Sequence, residues 1–126
     1  MSIFKKLFVK TTIEKQNLNS DKNKPEHAVI VYFNYKKDNL ESLHNLEAQL
    51  EKVIAENRVG EYDGHEISTD YNDGILYMYG TDAEKLYKTV QPTLKQTDFM
   101  GGATAKLRFG PPGDGIHEIE VMVSED

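Results

Sequence analysis

Five carboxylates form the densest group of residues whose type and spacing suit them to chemistry. They are Glu61, Asp63, Glu66, Asp70 and Asp73. Paired carboxylates act as general acid and base in many enzymes, and they also bind divalent cations. The same residues can instead form a solvated acidic rim or a surface that recognises another protein. Their spacing alone leaves these alternatives open.

Other patterns that resemble reactive sites are incomplete. His65–Thr69 begins like a zinc-protease motif, but threonine stands where the second histidine is required, and the segment falls on a predicted strand. Asp70–Gly74 is one residue too short for a calcium-binding loop. The glycine-rich stretch 110–115 lacks the lysine of a phosphate-binding loop, the chain has no cysteine, and no serine stands in a nucleophile elbow. The sequence therefore predicts no catalytic residue, no metal site and no cofactor.

Tyrosines are the second unusual feature, since the chain has seven of them and no tryptophan. Tyr77 and Tyr79 share one side of a predicted strand with Ile75, and we expect Tyr62 on the neighbouring strand to lie beside them. Tyrosine is enriched in protein interfaces because it supplies a large contact area and a hydroxyl group. The pattern predicts an aromatic patch rimmed by acids if this sheet face is open, or ordinary packing if it is covered.

The formal charge of −6 is distributed unevenly. Residues 1–24 hold six lysines and two acids, whereas residues 25–126 hold nine basic and nineteen acidic residues. Nucleic-acid binding depends on lysine and arginine that neutralise phosphates, so the acidic part of the chain disfavours direct binding of nucleic acid. It favours a basic protein partner, although an acidic surface can also serve solubility alone.

Length and hydropathy indicate one domain in the cytoplasm. A chain of 126 residues has room for a single core. It has no apolar run of the roughly 20 residues that a membrane span needs, and its N-terminus lacks the pattern of a signal peptide. The absence of cysteine is compatible with a reducing compartment.

The first ten residues predict a short, basic, amphipathic peptide. Apolar residues recur at helical spacing with lysines between them, and the segment that follows to residue 26 has the polar composition of a linker. The peptide is expected either to contact an anionic membrane surface or a partner's groove, or to fold back on the domain. The residues expected to make that contact are Phe4, Lys5, Lys6, Leu7 and Phe8.

Hydrophobic periodicity predicts five strands and two helices in residues 27–126. The strands are expected at 27–36, 61–68, 74–79, 103–109 and 117–123, and Asp63-Gly64 indicates a bulge in the second of them. One helix is expected from a capping box at Asp38 to Asn57, and the other from a capping box at Thr81, with Pro92 kinking it or ending it early. The order β-α-β-β-α-β-β predicts an α+β, ferredoxin-like split β-α-β sandwich, with both helices on one face of an antiparallel sheet. The crossover rule then gives these five strands the spatial order 2-3-1-4-5.

Three stretches support a resemblance to a known family. They are Gly60–Ile67, Leu76–Gly80 followed by Asp82-Ala83, and Leu107–Pro112. Together they resemble a family of small bacterial proteins that has no assigned activity, which implies a ferredoxin-like fold and a bacterial origin. The architecture is more remotely similar to the regulator of ribonuclease activity B group, acidic ferredoxin-like proteins that act by binding an enzyme. A shared fold does not by itself imply a shared function.

The leading hypothesis is therefore a non-enzymatic module that binds a basic protein, such as an inhibitor or immunity-type protein for a nuclease or toxin. A small-ligand domain or carboxylate-based enzyme is the second hypothesis, and a structural homodimer is the third. The partner surface is expected to consist of Tyr62, Asp63, Glu66, Asp70, Asp73, Tyr77 and Tyr79.

Overall fold

The computed structural model describes residues 4–6 and 26–124. These residues form six strands, two helices and one short 3-10 turn. The strands are β1 (Phe4–Lys6), β2 (His27–Asn34), β3 (Glu61–Ser68), β4 (Asp73–Gly80), β5 (Thr104–Arg108) and β6 (Glu118–Met122), the helices are α1 (Glu41–Asn57) and α2 (Ala83–Lys95), and the turn is Asp98–Met100. From β2 onward the element order is the predicted one.

The six strands form one antiparallel sheet in the order β1-β3-β4-β2-β5-β6. The predicted order of the five strands after residue 27 is thereby confirmed, and the α+β class with its split β-α-β arrangement is confirmed as well. The predicted bulge is present, because the register between β3 and β4 shifts between Tyr62 and Gly64.

The core lies between the two helices and one face of the sheet. Helix α1 packs against α2 and β3, and α2 packs against β2, β4 and β5. Along β4, buried Leu76 and Met78 alternate with half-buried Ile75, Tyr77 and Tyr79. This alternation follows from the pleat, which sends successive side chains to opposite faces. The side chains on the Leu76 side are therefore covered by the helices.

Both helices begin differently from the predicted capping boxes. The N-cap of α1 is Leu40, and the Asn39 side chain, rather than that of Asp38, accepts a hydrogen bond from the Glu41 amide. The N-cap of α2 is Asp82, one residue after the predicted Thr81, and its carboxylate accepts a hydrogen bond from the Lys85 amide. Helix α2 also continues three residues past Pro92. The capping pattern located both helices but placed each cap on the wrong residue, since several adjacent residues can serve.

The helical interpretation of residues 1–10 is wrong over Phe4–Lys6, which are extended and pair with Glu66–Ser68 of β3. A free sheet edge offers unpaired backbone groups, and a short segment gains more hydrogen bonds by joining it than by forming an isolated helical turn. The predicted contact residues Leu7 and Phe8 and the linker up to residue 25 lie outside the described residues. Within the described part of the chain, no helix has the length and apolarity to cross a membrane.

Candidate functional site

The sheet face opposite the helices carries a band of aromatic and aliphatic side chains. Ile75, Tyr77 and Tyr79 of β4 lie on this side, each partly exposed. Their cross-strand neighbours on β2 are Tyr32, Ile30 and Ala28, in that order. Ala28 is fully buried, whereas Ile30 and Tyr32 are partly exposed, as are the three residues of β4. We call this surface the open face, and its central band consists of Ala28, Ile30, Tyr32, Ile75, Tyr77 and Tyr79.

Strand β3 adds carboxylates along one side of the band. Glu66 lies opposite Ile75 and Glu61 lies opposite Tyr79. The Tyr77 hydroxyl donates a hydrogen bond to the Glu66 carboxylate. Burial, followed by this bond to Glu66, raises the pKa of Tyr77, so its hydroxyl stays protonated and oriented. Burial, followed by the charge of Asp63, also raises the pKa of Tyr79.

Strands β5 and β6 add charges of both signs on the other side of the band. Lys106 lies opposite Ile30, and its ammonium group is 5.7 Å from the centre of the Tyr32 ring. Arg108 lies opposite Ala28 and donates hydrogen bonds to the carbonyls of Gly110 and Glu26. Beyond these bases, β6 places Glu120 opposite Lys106 and Glu118 opposite Arg108. Over strands β2 to β6, the open face therefore has acidic rows along β3 and β6 and a basic row between the aromatic band and β6, while Lys6 of β1 occupies the register position opposite Glu66.

Two predicted partner-binding residues do not belong to this surface. Tyr62 is only 2% exposed, pairs with buried Met78 and lies on the side covered by the helices. Asp63 is only 4% exposed and occupies the bulge. The placement of both residues on an exposed surface is wrong. The extra residue in the bulge reverses the pleat, so that Tyr62 and Glu66 point to opposite faces although they are four residues apart.

The predicted residues Asp70 and Asp73 lie at the turn that joins β3 to β4. The Asp70 carboxylate accepts hydrogen bonds from the Ser68 hydroxyl at 2.7 Å and the Asn72 amide at 3.0 Å. These bonds, that of Ser68 first, hold the pKa of Asp70 below its ordinary value. Asp73 pairs with Asn34 at the turn end of the sheet. Asp70 therefore stabilises the turn, while Asp73 extends the open face at one end.

A buried polar cluster joins α1 to β3 on the covered face. The Tyr62 hydroxyl donates to one oxygen of Glu47 at 2.6 Å, and Nδ1 of His65 lies 2.7 Å from the same oxygen. His65 is 2% exposed, and its Nε2 has no hydrogen-bond partner among the described residues. The ring of His44 lies 6.3 Å from that of His65. Burial, followed by the charge of Glu47, raises the pKa of Tyr62.

Sequence reasoning missed this cluster because its members come from two elements. Glu47 follows the buried Leu46 on α1, and His65 is the single histidine of β3, so neither has a local signal. Only the docking of α1 on β3 brings them together. The described residues contain no group of three or more side chains suited to hold a metal ion.

A cleft of about 370 Å³ lies at the end of β2, where Asn34, Tyr35 and Lys37 line it. Within it Lys37 forms an ion pair of 3.3 Å with Asp98 and lies over the Phe99 ring. None of the predicted site residues lines it. The carboxylates of residues 61–73 therefore fall in three places, the open face, the bulge and the turn, and they do not converge on this cleft.

Comparison of the chain with protein-family models, with curated proteins and with solved structures finds no match. The resemblance to a small bacterial family and the remote similarity to the regulator of ribonuclease activity B group stay predictions.

Proposed function

We propose that this protein is a non-enzymatic binding module whose open face engages a basic protein. The observation that carries the proposal is the band around Tyr32, Tyr77 and Tyr79, whose side chains are partly exposed and which the carboxylates of Glu61 and Glu66 flank. An exposed face that carries large aromatic side chains is typical of an interaction surface.

Charge supports a protein as the partner rather than a nucleic acid. The four carboxylates along β3 and β6 outnumber the two bases of β5 even when Lys6 of β1, opposite Glu66 in register, is added to those bases, and the whole chain carries a net charge of −6. Stacking of single-stranded nucleic acid on tyrosines also requires a basic groove, and here the aromatic band is flanked on one side by acids. A basic protein surface gains from both the carboxylates and the aromatic area.

The hydrogen bond between Tyr77 and Glu66 supports a surface that is organised before binding. It fixes the Tyr77 ring and the carboxylate relative to each other. Fewer rotamers are then lost when a partner docks, which lowers the entropic cost of association. A lysine or arginine of the partner placed over Tyr77 would contact the Glu66 carboxylate and the ring together.

The class of partner is part of the proposal. A nuclease or toxin that binds phosphate backbones presents a basic surface of the kind that this face would recognise, and an inhibitor or immunity-type role follows from that complementarity. A cytoplasmic location is proposed with it.

The proposal is tested by capture from a lysate of the organism that carries this chain, with matched charge variants of the full chain as bait. Glu66→Gln and Glu56→Gln each remove one negative charge, but only Glu66 lies on the open face, whereas Glu56 is exposed on α1. We expect one basic protein to be captured by the unaltered chain, and to be reduced by Glu66→Gln and by Tyr77→Ala but not by Glu56→Gln. Equal capture by all four baits would contradict the proposal.

Light scattering on the purified chain separates the proposal from the homodimer hypothesis. The proposal predicts that the chain is a monomer before the partner binds. A dimer that dissociates on Tyr77→Ala would show instead that a second copy occupies the open face.

A further inference from the structure

Strand β6 ends the sheet on the side opposite β1 and is exposed on both of its faces. No strand in the described part of the chain lies beyond it. It carries the two large apolar side chains that are most exposed in that part of the chain, Ile119 at 41% and Met122 at 38%. A sheet edge of this kind is a template for another strand.

The backbone groups that face outward from β6 can be assigned from the pairing with β5. The Phe109 amide donates to the His117 carbonyl, and the Val123 amide donates to the Ala103 carbonyl. In an antiparallel pair, hydrogen-bonded positions alternate, so Ile119 and Val121 also direct their backbone groups toward β5. The backbone N–H and C=O groups of Glu118, Glu120 and Met122 therefore point away from the sheet.

The charges on β6 indicate which kind of strand can pair with this edge. Glu118 and Glu120 are both exposed and lie on the open side of the sheet, next to Arg108 and Lys106 of β5. A second copy that paired antiparallel about Glu120 would place that carboxylate opposite itself, and like charges directly opposite each other are destabilising. A strand with lysine or arginine on the open side would instead continue the alternation of acidic and basic rows.

We propose that the outer edge of β6 accepts an extended segment of the basic partner as a seventh strand. The segment has basic residues at alternate positions, over Glu118 and Glu120, and apolar residues between them on the side of Ile119 and Val121. This proposal rests on the proposed function in one respect, that the partner is basic. It adds the mode of binding, which is strand addition with main-chain hydrogen bonds.

The test uses the full chain and a seven-residue peptide of alternating lysine and valine as the probe. Amide hydrogen exchange is followed by NMR with and without the peptide. In the free protein we expect fast exchange at Glu118, Glu120 and Met122 and slower exchange at Ile119 and Val121. The peptide should slow exchange at the three outward amides, and a peptide of alternating glutamate and valine should not.

Two substitutions at one position separate the backbone contribution from the charge. Glu120→Gln removes the charge alone and should weaken binding of the lysine peptide by about twofold. Glu120→Pro also removes the outward N–H, while the bonds of Ile119 and Val121 to β5 stay intact, and should weaken binding by about tenfold. Protection at Ile119 and Val121 in the proline variant verifies that β6 still pairs with β5.

Equal affinity of the Gln and Pro variants for the lysine peptide would overturn strand addition, and so would unprotected outward amides at saturating peptide. If such a peptide instead shifts only the resonances of Tyr77 and Tyr79, the edge proposal fails and the open face stands. The proposed function fails on a different result. It fails if Glu66→Gln and Tyr77→Ala capture as much of the partner as the unaltered chain does.

Discussion

The two faces of the sheet carry different kinds of side chain, although the same strands supply both. On the covered face, apolar residues such as Val31, Leu76 and Met78 are fully buried against the helices. The cluster of Glu47, Tyr62 and His65 places polar groups on the same face. On the open face, tyrosines and charged residues pair sideways with one another, as Tyr77 does with Glu66. The covered face is closely packed, whereas the open face leaves large side chains such as Tyr77 and Tyr79 partly exposed. This difference between the faces supports the proposal that the open face is the binding surface.

The largest difference between the faces should appear at two adjacent residues of β4. Leu76→Ala removes a fully buried side chain and should lower the free energy of unfolding by about 3 kcal/mol. Ile75→Ala, which acts on the open face, should lower it by about 1 kcal/mol or less, because Ile75 already contacts solvent. Urea denaturation of both variants measures the difference. Equal losses would show that the open face is packed as tightly as the covered one.

The buried cluster of Glu47, Tyr62 and His65 places polar groups on the covered face. Glu47→Ala leaves the Tyr62 hydroxyl and His65 Nδ1 without their shared acceptor and should lower the free energy of unfolding by about 2 kcal/mol. Glu56→Ala, an exposed control on the same helix, should change it by less than about 0.5 kcal/mol. Thermal unfolding with both variants tests this. A Glu47→Ala variant as stable as the control would mean that water replaces the carboxylate.

The smallest effect is expected at the turn where both faces end. The pKa of Asp70 is lowered in the folded chain, so its ionised form stabilises the fold above the ordinary value of 3.8, and this contribution is lost as pH falls through the folded value. Asp70→Asn should therefore flatten the decline of stability below that pH and leave the slope near pH 7 unchanged. Urea midpoints measured between pH 2 and 7 give the comparison. If Asp70→Asn leaves the decline of stability at low pH unchanged, the bonds from Ser68 and Asn72 contribute nothing to the pH dependence of stability.

Much of the fold could be predicted because its signals are local. The alternation in β4, the buried stripe of α1 and the bulge at Asp63-Gly64 are each visible in a few consecutive residues. The predicted orientation of Tyr62 is wrong, although the predicted bulge is present. A bulge inverts which side of the sheet each later residue faces, so Tyr62 and the residues after Asp63 do not follow one alternation. The contact between Glu47 and His65 could not be predicted at all, since it depends on how a helix docks on a strand 18 residues away.

The N-terminal strand shows a further limit of local patterns. Residues 1–10 have the spacing of an amphipathic helix, yet Phe4–Lys6 pair with β3. A segment of three residues has little preference of its own, and the available sheet edge decides its conformation.

The most direct test of the central claim is the affinity of the captured partner for two double variants of equal charge. Glu61→Lys with Glu66→Lys reverses the charges of the open face, and Glu51→Lys with Glu56→Lys reverses two exposed charges on α1. Titration of each purified chain with the partner should show a loss of about a hundredfold for the open-face variant and less than about threefold for the helix variant. Equal losses in the two variants would contradict the account, because the partner would then respond to net charge and not to the open face.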